Sequence, residues 1–155
     1  MRGLLFALSL LLPASAFAEG IMIHDGYLRA SGPMARAGAA FMVIHNHSDK
    51  DAVLIGAETE AARTVELHTH IIEDDIAKMR EIEGGITIPA GGSHALKRGA
   101  DHVMLMGLTG KLEQDDMVSI KFIFEELDPV TIELPVDNER MPEDAHGEMD
   151  HSKHN

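Results

Sequence analysis

The hexapeptide Val65-Glu66-Leu67-His68-Thr69-His70 decides how this chain is read. A period of two puts Val65, Leu67 and Thr69 on one side and Glu66, His68 and His70 on the other, the pattern of a half-buried strand. The same grain runs outward in both directions. Short β-like runs are expected at residues 21–30, 39–46, 52–57, 63–71, 76–82, 86–88, 94–97, 102–108, 117–124 and 130–134. Turn signals separate them: Ser31-Gly32-Pro33, His47-Ser48-Asp49, Glu83-Gly84-Gly85, Pro89-Ala90-Gly91-Gly92 and Arg98-Gly99. Many short strands broken by Gly/Pro turns predict an all-β sandwich or barrel. No stretch sustains a helical period; a short helical turn is expected only near residues 58–63.

Two further stretches carry unusual chemistry. In residues 75–82, alternation puts Met79 with Asp75, Ala77 and Glu81, away from Ile76, Lys78, Arg80 and Ile82. A thioether among acids does not read as core, although a β-bulge would reverse the assignment. In Asp101-His102-Val103-Met104-Leu105-Met106-Gly107 the same period aligns His102, Met104 and Met106 opposite Val103 and Leu105. Imidazoles and thioethers collected on strand faces suggest a metal site. Thioether sulfur is soft and uncharged and selects copper(I), whereas zinc and hard cations favour thiolate, imidazole, carboxylate or water. Each side chain alone has an ordinary structural reading, since Met fills irregular core gaps and a lone His is usually hydrogen-bonded or solvated. Their coincidence favours copper, with binding expected to weaken as pH falls through the histidine range.

Composition narrows the function classes. The 155 residues hold 26 Asp and Glu against 13 Lys and Arg, a formal net charge of −13. So acidic a chain lacks the basic face that nucleic acid or an anionic membrane requires, and suits cations or a basic protein surface. Cysteine is absent. That removes disulfides, thiolate ligands and the Cys-His₂ centre of an electron-transfer cupredoxin. No nucleophile with its base, Gly-rich phosphate loop or framed carboxylate pair is recognisable, so the chain is expected not to be an enzyme.

The two ends differ from the middle. Arg2, the apolar run Leu4 to Leu12, Pro13 and Ala16-Phe17-Ala18 match an export signal, and the run is too short to span a bilayer. The expected organisation is a signal peptide at 1–18, a β-sandwich domain at 19–136 and a mobile acidic tail at 137–155. The mature protein is expected in the periplasm, with no membrane insertion after cleavage. The tail carries Met141, His146, Met149, His151 and His154. A His-rich segment reads as a metal-capture arm, and imidazoles beside carboxylates suit copper(II); the alternative is a solubilising tail without a site. His45 and His47 face one way around Asn46, as a second weak metal site or, more simply, as a solvated turn. His24 and His94 have no assigned role.

These stretches resemble the periplasmic Cu(A) copper chaperones of the PCuAC type. The resemblance spans about residues 26–125. It rests on the hexapeptide, Lys78-Met79-Arg80, Glu83-Gly84-Gly85-Ile86, Ile88-Pro89-Ala90-Gly91-Gly92 and His102-Val103-Met104-Leu105-Met106-Gly107-Leu108. It implies a cupredoxin-like Greek-key β-sandwich that holds one copper(I) ion with His68, Met79, His102 and Met104. It also implies a copper-accepting periplasmic partner: the Cu(A) subunit of cytochrome c oxidase, or a thiol-containing chaperone on the way to it. Copper buffering or resistance is the alternative function, because it needs the same site. Thr69 stands where many members carry Met directly after the first His, which leaves His70 as a bystander, an alternative ligand or a neighbour of one. Met106 is a comparable spare, and Tyr27 stands where many members carry Trp. His70, Met106, His146, Met149, His151 and His154 are thus auxiliary candidates.

Overall fold

The computed structural model describes residues 20–141 apart from Pro33. The expected signal peptide and residues 142–155 of the expected tail, with His146, Met149, His151 and His154, lie outside the described residues. Ten strands follow in order: β1 (Ile21–Ala30), β2 (Ala37–Asn46), β3 (Ala52–Glu58), β4 (Ala62–Glu73), β5 (Ile76–Glu81), β6 (Ile86–Ile88), β7 (Ser93–Leu96), β8 (His102–Leu108), β9 (Met117–Phe124) and β10 (Val130–Pro135). Each coincides with an expected run to within a residue or two at either end. The helical turn expected near 58–63 is instead a tight turn at Glu60 and Ala61, because Ala62 already pairs with Leu108 as the first residue of β4.

The strands form two antiparallel sheets. One has the order β1-β2-β8-β4-β5, with β7 also paired to β2; the other has the order β10-β9-β3-β6. The chain changes sheet after β2, β3, β5, β6 and β8, which makes a cupredoxin-like Greek-key β-sandwich. The inner faces meet in one core, with Leu28, Ile44, Leu67 and Leu105 from the first sheet against Leu54, Ile120, Phe122 and Leu134 from the second. Burying each such side chain contributes about 1.5–3 kcal/mol. The buried Asn46 ties the end of β2 to its surroundings. Its amide donates to the Lys50 and Ile88 carbonyls at 2.7 and 3.1 Å, and its oxygen accepts from the Ser48 amide and hydroxyl.

Two local features set which side chains face outward from the six-stranded sheet. In β1, Asp25 (φ +52°) and Gly26 form a bulge between His24 and Tyr27. Gly26 packs closely there: a Cβ would sit 2.4 Å from Leu134 Cδ2 and would push that side chain aside. The bulge resets the alternation, so Leu28 enters the core while Tyr27 and Arg29 share the outer face with Met22 and His24. Between β4 and β5, Asp74 and Asp75 (φ +52° and +61°) make a two-residue turn of the I′ kind, whose twist matches the flanking strands. It pairs Glu73 with Ile76 and thereby fixes every later pair of that hairpin.

Residues 137–140, expected to open the tail, bond to the sandwich. The Asp137 amide donates to the Leu28 carbonyl, and the Asn138 side chain bonds both the Ala30 amide and the Leu112 carbonyl at 2.9 Å. Arg140 reaches Asp25 and lies 4.3 Å above the Tyr27 ring. These polar residues cannot fold alone, but they satisfy backbone groups of the finished sandwich, which composition does not register.

Candidate metal centre

The registers of β4 with β8 and of β4 with β5 assemble the site. Across β4 and β8, His68 faces His102, Glu66 faces Met104 and Thr64 faces Met106. Across β4 and β5, His70 faces Met79 and His68 faces Glu81, with no bulge to reverse the phase. Directly opposed residues share a face, so His68, His70, Met79, His102, Met104 and Met106 all project from the outer face. Val65, Leu67, Val103 and Leu105 turn inward against the core.

On that face lies an open cavity of about 430 Å³, lined by His70, Met79, His102 and Met104. Its floor is low where β2 lines it with the small residues Ala37, Gly38 and Ala39; Ala39 pairs with Met104 and Ala37 with Met106. Phe41 closes one side, its ring 6.1 Å from that of His102. Arg29 and Arg98 form the rim, and both donate to the Arg140 carbonyl, at 3.2 and 3.3 Å. Met79 is 46% exposed and His102 only 3%, so the donor set grades from solvent to core. Met106 does not line the cavity. Met141 is exposed and lies instead beside Tyr27, Lys97 and Arg98.

The histidines are held in defined tautomers. His102 Nδ1–H donates to the Ala100 carbonyl at 2.9 Å, which leaves Nε2 with a free lone pair. The carbonyl is aimed by the turn after β7. Gly99 takes φ +80°, and the Lys97 amide donates to the Asp101 carbonyl at 2.9 Å. His94 Nε2–H fastens the same turn through the Asp101 carboxylate at 2.9 Å. His68 is the mirror case. Its Nε2–H donates to Glu66 Oε2 at 2.8 Å, and its Nδ1 is buried with no partner among the described residues. An orphaned imidazole nitrogen on a strand whose outer face also carries thioethers fits a soft cation. The His68 and His102 rings lie edge to face with centroids 6.0 Å apart, and His70 is 5.2 Å from His102. Burial, chiefly, holds His102 below its ordinary value near 6.5; the nearby His70 and His68 act the same way, and the Ala100 bond opposes them. His102 is thus neutral and able to ligate at neutral pH.

Of the expected quartet, Met79, His102 and Met104 line the cavity, while His68 stands opposite His102 and is not among the lining residues. His70, expected only as an auxiliary residue, lines the cavity itself. The sequence reading did not single out Glu66, Phe41, Arg29 or Arg98. Glu66 was legible as a face-mate of His68, two residues away on one strand; the others come from distant strands. His94, given no role, holds the turn that orients His102.

The profile of the family described as "Putative lipoprotein LpqE-like" matches residues 21–136. The chain belongs to the LpqE-like family. A relative of this LpqE-like protein, the "Putative lipoprotein Lxx21020" of Leifsonia xyli subsp. xyli (strain CTCB07), is 32% identical over 130 residues, which span 81% of this chain and 77% of that one. Among solved structures, the copper-bound PCuAC domain from PmoF2 superposes with a TM-score of 0.67 at 21% identity, covering 79% of this chain and 97% of the domain. The solution structure of CuI-DR1885 from Deinococcus radiodurans matches with a TM-score of 0.59 at 31% identity, covering 76% of this chain and 79% of that one. The LpqE-like chain therefore has the PCuAC fold, as its sequence resemblance implied.

Proposed function

We propose that this LpqE-like protein is an exported copper carrier. It binds one copper(I) ion through His68, Met79, His102 and Met104 in the periplasm and delivers it toward the Cu(A) site of cytochrome c oxidase, without turnover. The observation that carries the reading is the opposed pair His68 and His102. Each has one ring nitrogen bonded to a protein oxygen and the other left free, on the face where two thioethers gather. The fold shared with PCuAC domains, one of them solved with copper bound, supports the same reading, as does the copper(I) form of DR1885 at 31% identity. Neutral ligands hold a d¹⁰ ion without the strength of thiolate, so a thiol-bearing acceptor can take it. The cavity of about 430 Å³ has more than ten times the roughly 30 Å³ share of a water molecule, which leaves an acceptor side chain room to enter.

Anaerobic copper(I) titration with X-ray absorption tests the site. One equivalent with sulfur in the first shell is expected, and loss of that sulfur signal in Met79→Ala plus Met104→Ala. Nitrogen and oxygen scattering alone would overturn it. Delivery is tested in a deletion strain: defective oxidase assembly at low copper supports it, and sensitivity confined to high copper supports buffering instead.

A further inference from the structure

The mouth of the cavity carries the opposite charge to the chain as a whole. Acids outnumber Lys and Arg by 26 to 13, yet the described residues that line the cavity include Arg29 and Arg98 and no Asp or Glu. Strand register brings the first of them in. Arg29 pairs with Ala39, Ala39 with Met104 and Met104 with Glu66, one row across β1, β2, β8 and β4. Directly opposed residues share a face, so Arg29 stands on the side of Met104 with only a methyl group at the position between them. Arg98 arrives from the turn before β8. Both guanidiniums donate through Nη1–H to the Arg140 carbonyl, which holds two like charges around a single oxygen. Among the described residues, neither has a carboxylate within ion-pair distance. The Arg140 guanidinium, by contrast, is neutralised by Asp25. The opposite edge of the sheet is apolar. Ile72, two residues beyond His70 and directly opposite Ala77, is 78% exposed and shares the outer face with Met79.

We propose that this mouth is the docking surface for the protein that exchanges copper with this one, and that the partner presents carboxylates beside its own metal-binding side chains. Arg29 and Arg98 receive the carboxylates, and Ile72 with Met79 receives apolar surface. The charge of the arginines argues against a part in holding the ion. Imidazole and thioether ligands leave the positive charge of copper(I) in place, and two guanidiniums add to it. Each guanidinium keeps N–H donors in a planar fork that matches a carboxylate, and Arg and Met are both enriched at protein interfaces. The acidic remainder of the surface does not prevent the contact. At physiological salt its field decays over about 8 Å, so pairs formed at the mouth decide docking there, while like charge discourages the same partner elsewhere.

This inference rests on the copper(I) reading of the cavity, and the test separates the two. The probes are two dithiol peptides of equal length, one with glutamates flanking its cysteines and one with glutamines. The metal-free full chain is first titrated with each at about 0.15 M salt. The glutamate peptide should shift the side-chain NMR signals of Arg29 and Arg98, and the glutamine peptide should not. The copper(I)-loaded chain is then mixed with each peptide in a stopped-flow device. Transfer to the glutamate peptide should be about fivefold faster, as two exposed ion pairs would give. That ratio should approach one at about 1 M salt, and in the double variant Arg29→Gln with Arg98→Gln. It compares two peptides on one protein, so a change in copper affinity cancels. Lys121→Gln, in the other sheet, should leave it unchanged. Equal rates for the two peptides, or a ratio that survives in the double variant, would overturn the proposal. So would a ratio that appears only after Glu143→Gln, Asp144→Asn, Glu148→Gln and Asp150→Asn, because the arginines would then serve the chain's own acidic segment. If the copper(I) reading alone is wrong, no sulfur-bound copper is transferred to either peptide, and the shifts in the metal-free chain still decide the docking surface.

Discussion

His68 and His102 stand directly opposite each other across β4 and β8, ring centroids 6.0 Å apart, and the protein engages Nε2 of the first and Nδ1 of the second. The free nitrogens are thus Nδ1 on one ring and Nε2 on the other. Replacing either ring should weaken copper(I) binding by more than about 100-fold, because loss of an outer partner alone costs about 10–100-fold. Glu66→Gln, which keeps an acceptor near His68 but removes its charge, should cost about tenfold. Competition against a chromogenic copper(I) chelator measures all of these. If His70→Gln is as damaging as His102→Gln while His68→Gln is harmless, the fourth ligand is His70.

Met79 depends on strand phase. The hairpin register puts it opposite His70, with Lys78 pointing to the other side. Exchanging the two, Lys78→Met with Met79→Lys, keeps the composition and moves the thioether to the wrong face. Copper(I) affinity should fall as far as in Met79→Ala, with the circular dichroism of the β-sandwich unchanged. Wild-type affinity in the exchanged protein would refute the facial assignment.

Acid should weaken the metal-free fold through His102. Its folded value lies below its ordinary value near 6.5, chiefly because it is buried. Between those two values the unfolded chain binds more protons than the folded one. Stability is therefore full above 6.5 and declines as pH falls toward the folded value. The melting temperature should drop between pH 7.5 and 5, and by less in His102→Asn. Equal drops in the two proteins would remove His102 from this role.

Stability and metal binding should separate by sheet. Phe122 is fully buried on β9 in the sheet without candidate ligands. Phe122→Ala should cost about 3–5 kcal/mol and the milder Phe122→Leu no more than about 1.5 kcal/mol. Urea unfolding reads the cost, and copper(I) stoichiometry should remain one in whichever variant folds.

Much of this arrangement was legible in the chain. Period-two alternation at 65–70 and 102–107 reported inside and outside correctly, because a sheet with one solvated face imposes that pattern on regular strands packed over the core. The side-chain pairing of His68 with His102 was not legible, since it follows from β8 lying between β2 and β4, a long-range fact. Nor was the bulge at Asp25, because an Asp-Gly step reads equally as a turn. It hid both the inward course of Leu28 and the stacking of His24 on His45. His94 and Asp101 are seven residues apart and meet only once the turn around Gly99 is closed. Arg29 and Arg98 come together from β1 and the turn before β8, a juxtaposition no local pattern encodes.

None of the six residues of β5 is buried, and among the described residues β4 is its sole neighbour in the sheet. No core side chain comes from this strand. Detaching it would break six cross-strand residue pairs yet leave the packed interior whole, so it belongs to the low-energy end of the molecule's opening motions. In the proposed copper site, the thioether of Met79 would withdraw from the ion by fraying alone. Dissociation of the cargo then takes the timescale of a peeling hairpin, and hydrogen exchange at residues 76–81 should outpace that of every other strand in the sheet.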